Sequence, residues 1–122
     1  KHLDEWTDRR RTIAGAYIHG LKDSGLILPH VPDWADPVWH LYVVRTTERD
    51  ALQKRLGEAG IGTLIHYPIP PHMQGAYAGL GLSAGAFPLA SQMANEVLSL
   101  PIGPQMRAQL ATEVCNIVRY AV

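Results

Sequence analysis

From His2 to Lys22 the apolar residues Leu3, Trp6, Ile13, Ala14, Tyr17 and Leu21 recur at helical spacing, with charged residues on the other face. Ser24-Gly25 stops the run, so a long amphipathic helix is predicted. Gly25 to Pro29 is a short apolar piece, and His30 to Pro37, with its prolines and aspartates around Trp34, reads as a loop. Val38 to Arg45 is rich in β-branched and aromatic residues and predicts a central strand. Thr47 is placed to cap a following helix with Asp50 as its capping-box partner. Leu52, Leu56 and Ala59 form that helix's buried stripe, and Gly60 ends it. A second strand is predicted from Ile61 to Tyr67.

Two strands joined by one helix should point the same way along a sheet, either adjacent or with an opposed strand between them. Leu98 to Pro101 or Leu26 to Leu28 could supply that insert. Pro71 to Leu82 reads as a short helical turn leading into a Gly-punctuated loop, and Pro88 opens a helix with Leu89, Met93 and Val97 on its stripe. Pro104 is expected to open the last helix, with Met106, Leu110, Val114, Ile117, Val118 and Ala121 inward and Arg107 and Arg119 facing water. The predicted fold class is α/β (α+β), a two-layer small domain. It has a mixed or antiparallel sheet of about three strands and helices mainly on one face.

Composition narrows the function classes. With 122 residues, 47% of them hydrophobic and 18% charged, the chain has the makings of one core. Eleven basic residues balance eleven acidic ones, so no global field attracts nucleic acid or an anionic membrane. The Arg9-Arg10-Arg11 run shares its helix with Asp4, Glu5 and Asp8 and reads as a solvated, salt-linked face. One cysteine, Cys115, excludes a disulfide framework and reads as packing, which suits a reducing, cytoplasmic setting. The chain opens at Lys1 already inside a helical pattern, from which a piece of a longer protein is expected.

Candidate chemistry concentrates in Gly60 to His72, GIGTLIHYPIPPH, where an apolar stretch runs into His66-Tyr67 and then a proline-stiffened turn. Each proline fixes its own φ and biases the residue before it toward extended geometry, so the His-Tyr pair sits on preorganised backbone. The imidazole of His66 can donate or accept a hydrogen bond at neutral pH, and Tyr67 offers an apolar face with a hydroxyl. These are tools for holding a polyol. His72 is either a cap on the short turn or a second polar contact. His40, in mid-strand, reads as a satisfied core histidine, and Arg45, at a strand end, as an ion-paired residue.

A zinc site built from His40, His66 and His72 is disfavoured because Asp and Glu are absent from positions 61 to 82, leaving no local carboxylate to orient the ligands. The same absence disfavours a Ser-His-Asp triad at Ser83, and no Gly-rich phosphate loop follows a strand. Lys1, Lys22 and Lys54 all fall in exposed patterns, unlike a desolvated Schiff-base amine.

Four blocks in order, LDEWTDRRRTIAGAY, WHLYVVR, GIGTLIHYPIPPHMQGAY and FPLASQMANEVLSLPIGPQM, resemble the C-terminal part of the DegT/DnrJ/EryC1/StrS aminotransferases. The resemblance covers nearly the whole chain. It implies an aspartate-aminotransferase fold and pyridoxal phosphate chemistry that places an amino group on a keto sugar nucleotide, with glutamate as the expected donor, in a homodimer. It further implies that residues 1–24 form a linking helix, that 25–122 form the small domain, and that the cofactor lysine and phosphate contacts belong to an N-terminal domain absent from this chain. His66 matches the substrate-facing position of the family's His-Tyr motif and Tyr67 follows it; His40 and Arg45 also match family blocks and are assigned to the framework. The forms GIGTLIHYPIPPH and LSLPIGP look most like enzymes acting at C3 of dTDP-linked 3-keto-6-deoxyhexoses. On this basis no catalytic residue and no metal ligand is expected in the chain, which alone would be inactive; the alternative is a free-standing binding module without catalysis.

Overall fold

The structure, a computed structural model, describes residues 1–121, with side chains as far as Tyr120. Helix α1 spans Leu3–Gly20, strand β1 Tyr42–Arg45, helix α2 Arg49–Glu58, helix α3 Pro88–Glu96, strand β2 Val97–Leu100 and helix α4 Ala108–Ala121. Three 3₁₀ turns, at Pro71–Met73, Gly75–Leu80 and Ala84–Ala86, fill the stretch before α3.

The strands pair antiparallel in the register Tyr42↔Leu100, Val43↔Ser99, Val44↔Leu98 and Arg45↔Val97. Alternation puts Tyr42, Val44, Leu98 and Leu100 on one face, and all four join the buried core with Ile13, Ala14 and Tyr17 of α1, Leu52 and Leu56 of α2, and Ala111, Val114, Cys115 and Val118 of α4. Three helices therefore cover that face, as anticipated. The opposite face carries Ser99 and Val97 beside α3.

The sheet is smaller than expected, with two strands rather than about three. The predicted strand Ile61 to Tyr67 is reduced to a single bridge, Leu64↔Ser99, and a second bridge, Ile27↔Arg45, marks the other flank. Leu98 to Leu100 is thus the opposed insert, lying between β1 and the Leu64 segment. Gly62 and the prolines at 68, 70 and 71 explain the truncation, since the latter remove ladder donors just where the strand would continue.

Other boundaries shift for local reasons. β1 starts at Tyr42, and Trp39 before it has φ of 52°, a left-handed conformation that interrupts extended pairing. The carbonyls of Trp39 and His40 are held by Arg10 at 3.3 and 3.2 Å. The hydroxyl at the start of α2 belongs to Thr46, which accepts from the Glu48 N–H, rather than to Thr47, and Asp50 binds Arg49 instead of closing a capping box. Gly60 ends α2 as expected: its φ of +78° is a left-handed cap, with Ile61 N–H donating to the Leu56 carbonyl at 2.8 Å. α4 starts at Ala108, because Pro104 sits in a preceding turn closed by Met106 N–H on Gly103. Leu89 is exposed and Val97 belongs to β2, so the α3 stripe reduces to Ala94 and a half-buried Met93. On α4, Val114 and Val118 are buried with Met106 and Ile117 packed at the core's edge; the burial of Ala121 lies outside the described residues.

Helices α1 and α4 approach closely where Gly20 meets Cys115. A Cβ at position 20 would lie 2.6 Å from Cys115 Sγ and 3.0 Å from its Cβ. Gly20→Ala is therefore expected to lower stability by about 1–3 kcal/mol through overpacking. A urea titration checks this, and Cys115→Ala in the same chain should return part of the loss. Burial pushes the Cys115 thiol's pKa up, with Arg119 opposing, which fits a packing role. Arg119 also closes the end of α1, donating to the carbonyls of Gly20 and Lys22 at 2.7 and 2.9 Å.

Candidate functional site

The site assembles on the sheet face turned away from the three-helix core. The Leu64↔Ser99 bridge, with N···O distances of 3.2 and 2.8 Å, fixes the extended segment against β2. Ile65 then turns inward to pack on the core while Leu64 stays exposed. His66 lies on the Leu64 side, as alternation demands, and its Nδ1 is 2.9 Å from Ser99 Oγ. The ring is half-buried rather than sealed in the core, and its other nitrogen, Nε2, has no partner among the described residues and is not among their buried unpaired atoms. Tyr67 is 71% exposed, its ring edge-on to the imidazole at 5.5 Å and 84°. The His66-Tyr67 peptide is cis.

Both side chains line a hollow of about 260 Å³ completed by Ile69, Pro70, Pro71 and Gln74 on one side and Ala90, Met93, Ala94 and Val97 on the other. The prolines supply stiffness, and α3 supplies a smooth apolar wall. Gln74 is the remaining polar side chain in the lining, and its amide donates to the Ile69 carbonyl at 3.4 Å. The lining contains no amine, guanidinium or carboxylate. A larger hollow of about 590 Å³ between the end of α2 and α4 holds only Gln105 and Glu113 as polar side chains, so it lacks converging chemistry.

Charged residues hold the start of β2 in place. Arg45 pairs with Glu96 at 2.7 Å, and Gln92 donates to the same carboxylate at 2.8 Å. The Gln92 hydrogen bond and then Arg45 hold the Glu96 carboxyl below its ordinary pKa, so the expected ion-paired role of Arg45 is what the geometry shows. Arg49, which sequence reading passed over, is buried and donates from Nη1 to the carbonyls of Ala94 and Val97 at 3.1 and 3.4 Å. It anchors the point where α3 becomes β2.

The other histidines go elsewhere. His72 is only 9% exposed and packs against Phe87 with ring centroids 5.0 Å apart, its Nε2 unpartnered, in an adjacent apolar hollow that also includes Tyr77, Leu80 and Leu82. It neither meets His66 nor caps the turn through a hydrogen bond. His40 corrects the core reading, being exposed ahead of β1 beside Leu3, Trp6 and Val38. Among the described residues no three metal-ligating side chains come together, so His40, His66 and His72 do not form a zinc site. The Arg9-Arg11 run is salt-linked to Glu5, Asp8 and Asp36, as expected. No helix among the described residues is long and apolar enough to cross a membrane. Ser99 was missed, although a lone hydroxyl between two leucines in LSL is a legible signal for a polar group on the strand's second face.

The profile of the DegT/DnrJ/EryC1/StrS aminotransferase family matches residues 1–119. The chain belongs to that family. Among its relatives, erythromycin biosynthesis sensory transduction protein EryC1 of Saccharopolyspora erythraea is 52% identical over 115 residues, which is 93% of this chain and 31% of EryC1. A dTDP-3-amino-3,4,6-trideoxy-alpha-D-glucose transaminase of Streptomyces venezuelae is 46% identical, with 97% of this chain and 31% of that enzyme covered. The crystal structure of S. venezuelae DesV in complex with a ketimine intermediate superposes with a TM-score of 0.94 at 46% identity, over 98% of this chain and 32% of DesV. The chain thus spans about a third of the length of the family members it matches.

Proposed function

We propose that this chain is the C-terminal small domain of a pyridoxal-phosphate-dependent aminotransferase, with residues 1–24 as a linking helix and 25–122 as the domain proper. The enzyme transfers an amino group, with glutamate as donor, to a keto sugar nucleotide of the dTDP-3-keto-6-deoxyhexose class. It works as a homodimer in the cytoplasm. The observation that carries the reading is the near-complete superposition on DesV at 46% identity.

The hollow beside His66 does not fit the cofactor by itself. Its lining offers no lysine for the aldehyde and no cation for the phosphate, and Lys22 and Lys54 lie exposed outside it. The cofactor is accordingly assigned to polypeptide outside these residues. This chain supplies a wall. His66 Nε2 reaches a sugar oxygen, the Tyr67 ring presents a flat face to the pyranose, and the apolar side chains of Ala90, Met93 and Ala94 exclude water beside it. Holding the sugar in one orientation contributes to rate without proton transfer by the wall itself. Exposed Tyr67 and Ile69 in the lining support this, since apolar side chains gathered at a rim suit a surface that the rest of an enzyme covers.

The test is a transamination assay. The full-length enzyme supplied with pyridoxal phosphate, glutamate and a dTDP-3-keto-6-deoxyhexose is expected to form the 3-amino sugar nucleotide, detected by mass spectrometry, while residues 1–122 alone form none. Turnover by the short chain would overturn the assignment, as would a full-length enzyme inert toward every keto sugar nucleotide offered.

A further inference from the structure

We infer that Ser99 is a positioning residue that fixes His66 as the Nε2–H tautomer, so that the imidazole presents a hydrogen-bond donor to the sugar. The inference rests on the reading of His66 as a sugar-contacting residue and adds to it the donor sense of the contact and the residue that sets it.

The argument is one of donor balance. Ser99 is 5% exposed, and its backbone N–H and carbonyl are both used in the bridge to Leu64. Among the described residues its Oγ has one hydrogen-bond partner, His66 Nδ1 at 2.9 Å. A hydroxyl carries one hydrogen. Were Nδ1 protonated, it would donate to Oγ and leave the serine hydrogen buried without an acceptor, a costly arrangement. With Nδ1 bare, the Ser99 hydroxyl donates to it and both groups are satisfied. The neutral ring then carries its proton on Nε2, the nitrogen left without a partner among the described residues. A donor suits a carbonyl or hydroxyl oxygen of a keto sugar, and the fixed ring plane suits a rigid wall. The serine is itself immobilised, because β2 is pinned through the Arg49 contact to the Val97 carbonyl and the Arg45–Glu96 pair.

The experiment is a double-mutant cycle in the full-length enzyme, with the two half-reactions followed separately. Ser99→Ala is expected to lower kcat/KM for the keto sugar nucleotide roughly tenfold and to leave the glutamate half-reaction unchanged. In a His66→Ala background, Ser99→Ala should cost nothing further, because its route of action is gone. In enzyme labelled with [15N]histidine, the signal that His66→Gln removes should show a protonated Nε2 and an unprotonated, accepting Nδ1. Losses that add across the cycle, a Ser99→Ala enzyme with normal sugar kinetics, equal damage to both half-reactions, or a protonated Nδ1 would each overturn the inference while leaving His66 as a sugar contact. A His66→Ala enzyme with unimpaired sugar kinetics would instead overturn the reading beneath it.

Discussion

His66→Ala in the full-length enzyme is expected to cut kcat/KM for the keto sugar nucleotide by about a hundredfold while sparing the reaction with the amino donor. The size follows from orientation. A small misplacement of a reacting centre costs on the order of 10²-fold, and the imidazole is the sole ring nitrogen donor on the lining of its hollow. The selectivity follows from placement, since a wall that touches the sugar has no part in the chemistry of glutamate. Stopped-flow absorbance of the cofactor reports each half-reaction directly. Equal losses in both would mean that the variant disturbs folding or domain packing, and normal kinetics with the sugar would remove His66 from the site.

Leu98→Ala is expected to lower the unfolding free energy by about 2–5 kcal/mol. Leu98 is fully buried at 0% exposure, pairs with Val44 across the ladder, and belongs to the core cluster to which α1, α2 and α4 all contribute. Few neighbours can collapse into the space, because they are already committed to rigid elements on different sides. Urea denaturation of the 122-residue chain followed by circular dichroism measures the loss; a change below 1 kcal/mol would show that the core closes around the gap.

Much of this arrangement was legible in the pattern of residues. The helical spacing of Ile13, Ala14, Tyr17 and Leu21 located α1 and its buried face, and Gly60 marked the end of α2. The GIGTLIHYPIPPH stretch pointed to the rim on which His66 and Tyr67 lie. What failed depended on contacts distant in the chain. Nothing local says that Leu64 pairs through one residue only, because the choice is made by Ser99 across the sheet and by prolines that deny further pairing. His40 looked like a strand residue until the left-handed turn at Trp39, held by Arg10 from a separate helix, placed it outside β1. His72, open in the sequence between a turn cap and a second polar contact, packs against Phe87 in an apolar hollow of its own. Side chains such as Arg49 and Ser99 show their worth only when the carbonyls and rings they serve are known.

The join at Glu96–Val97 has no loop: α3 ends and β2 begins in consecutive residues. A helix feeding a strand in this way has no slack, so Ala90, Met93 and Ala94 on the helix and Ser99 on the strand behave as parts of a single lever. On the proposed role of His66, the room that α3 leaves for the sugar and the aim of the imidazole are therefore set by one unbroken piece of backbone.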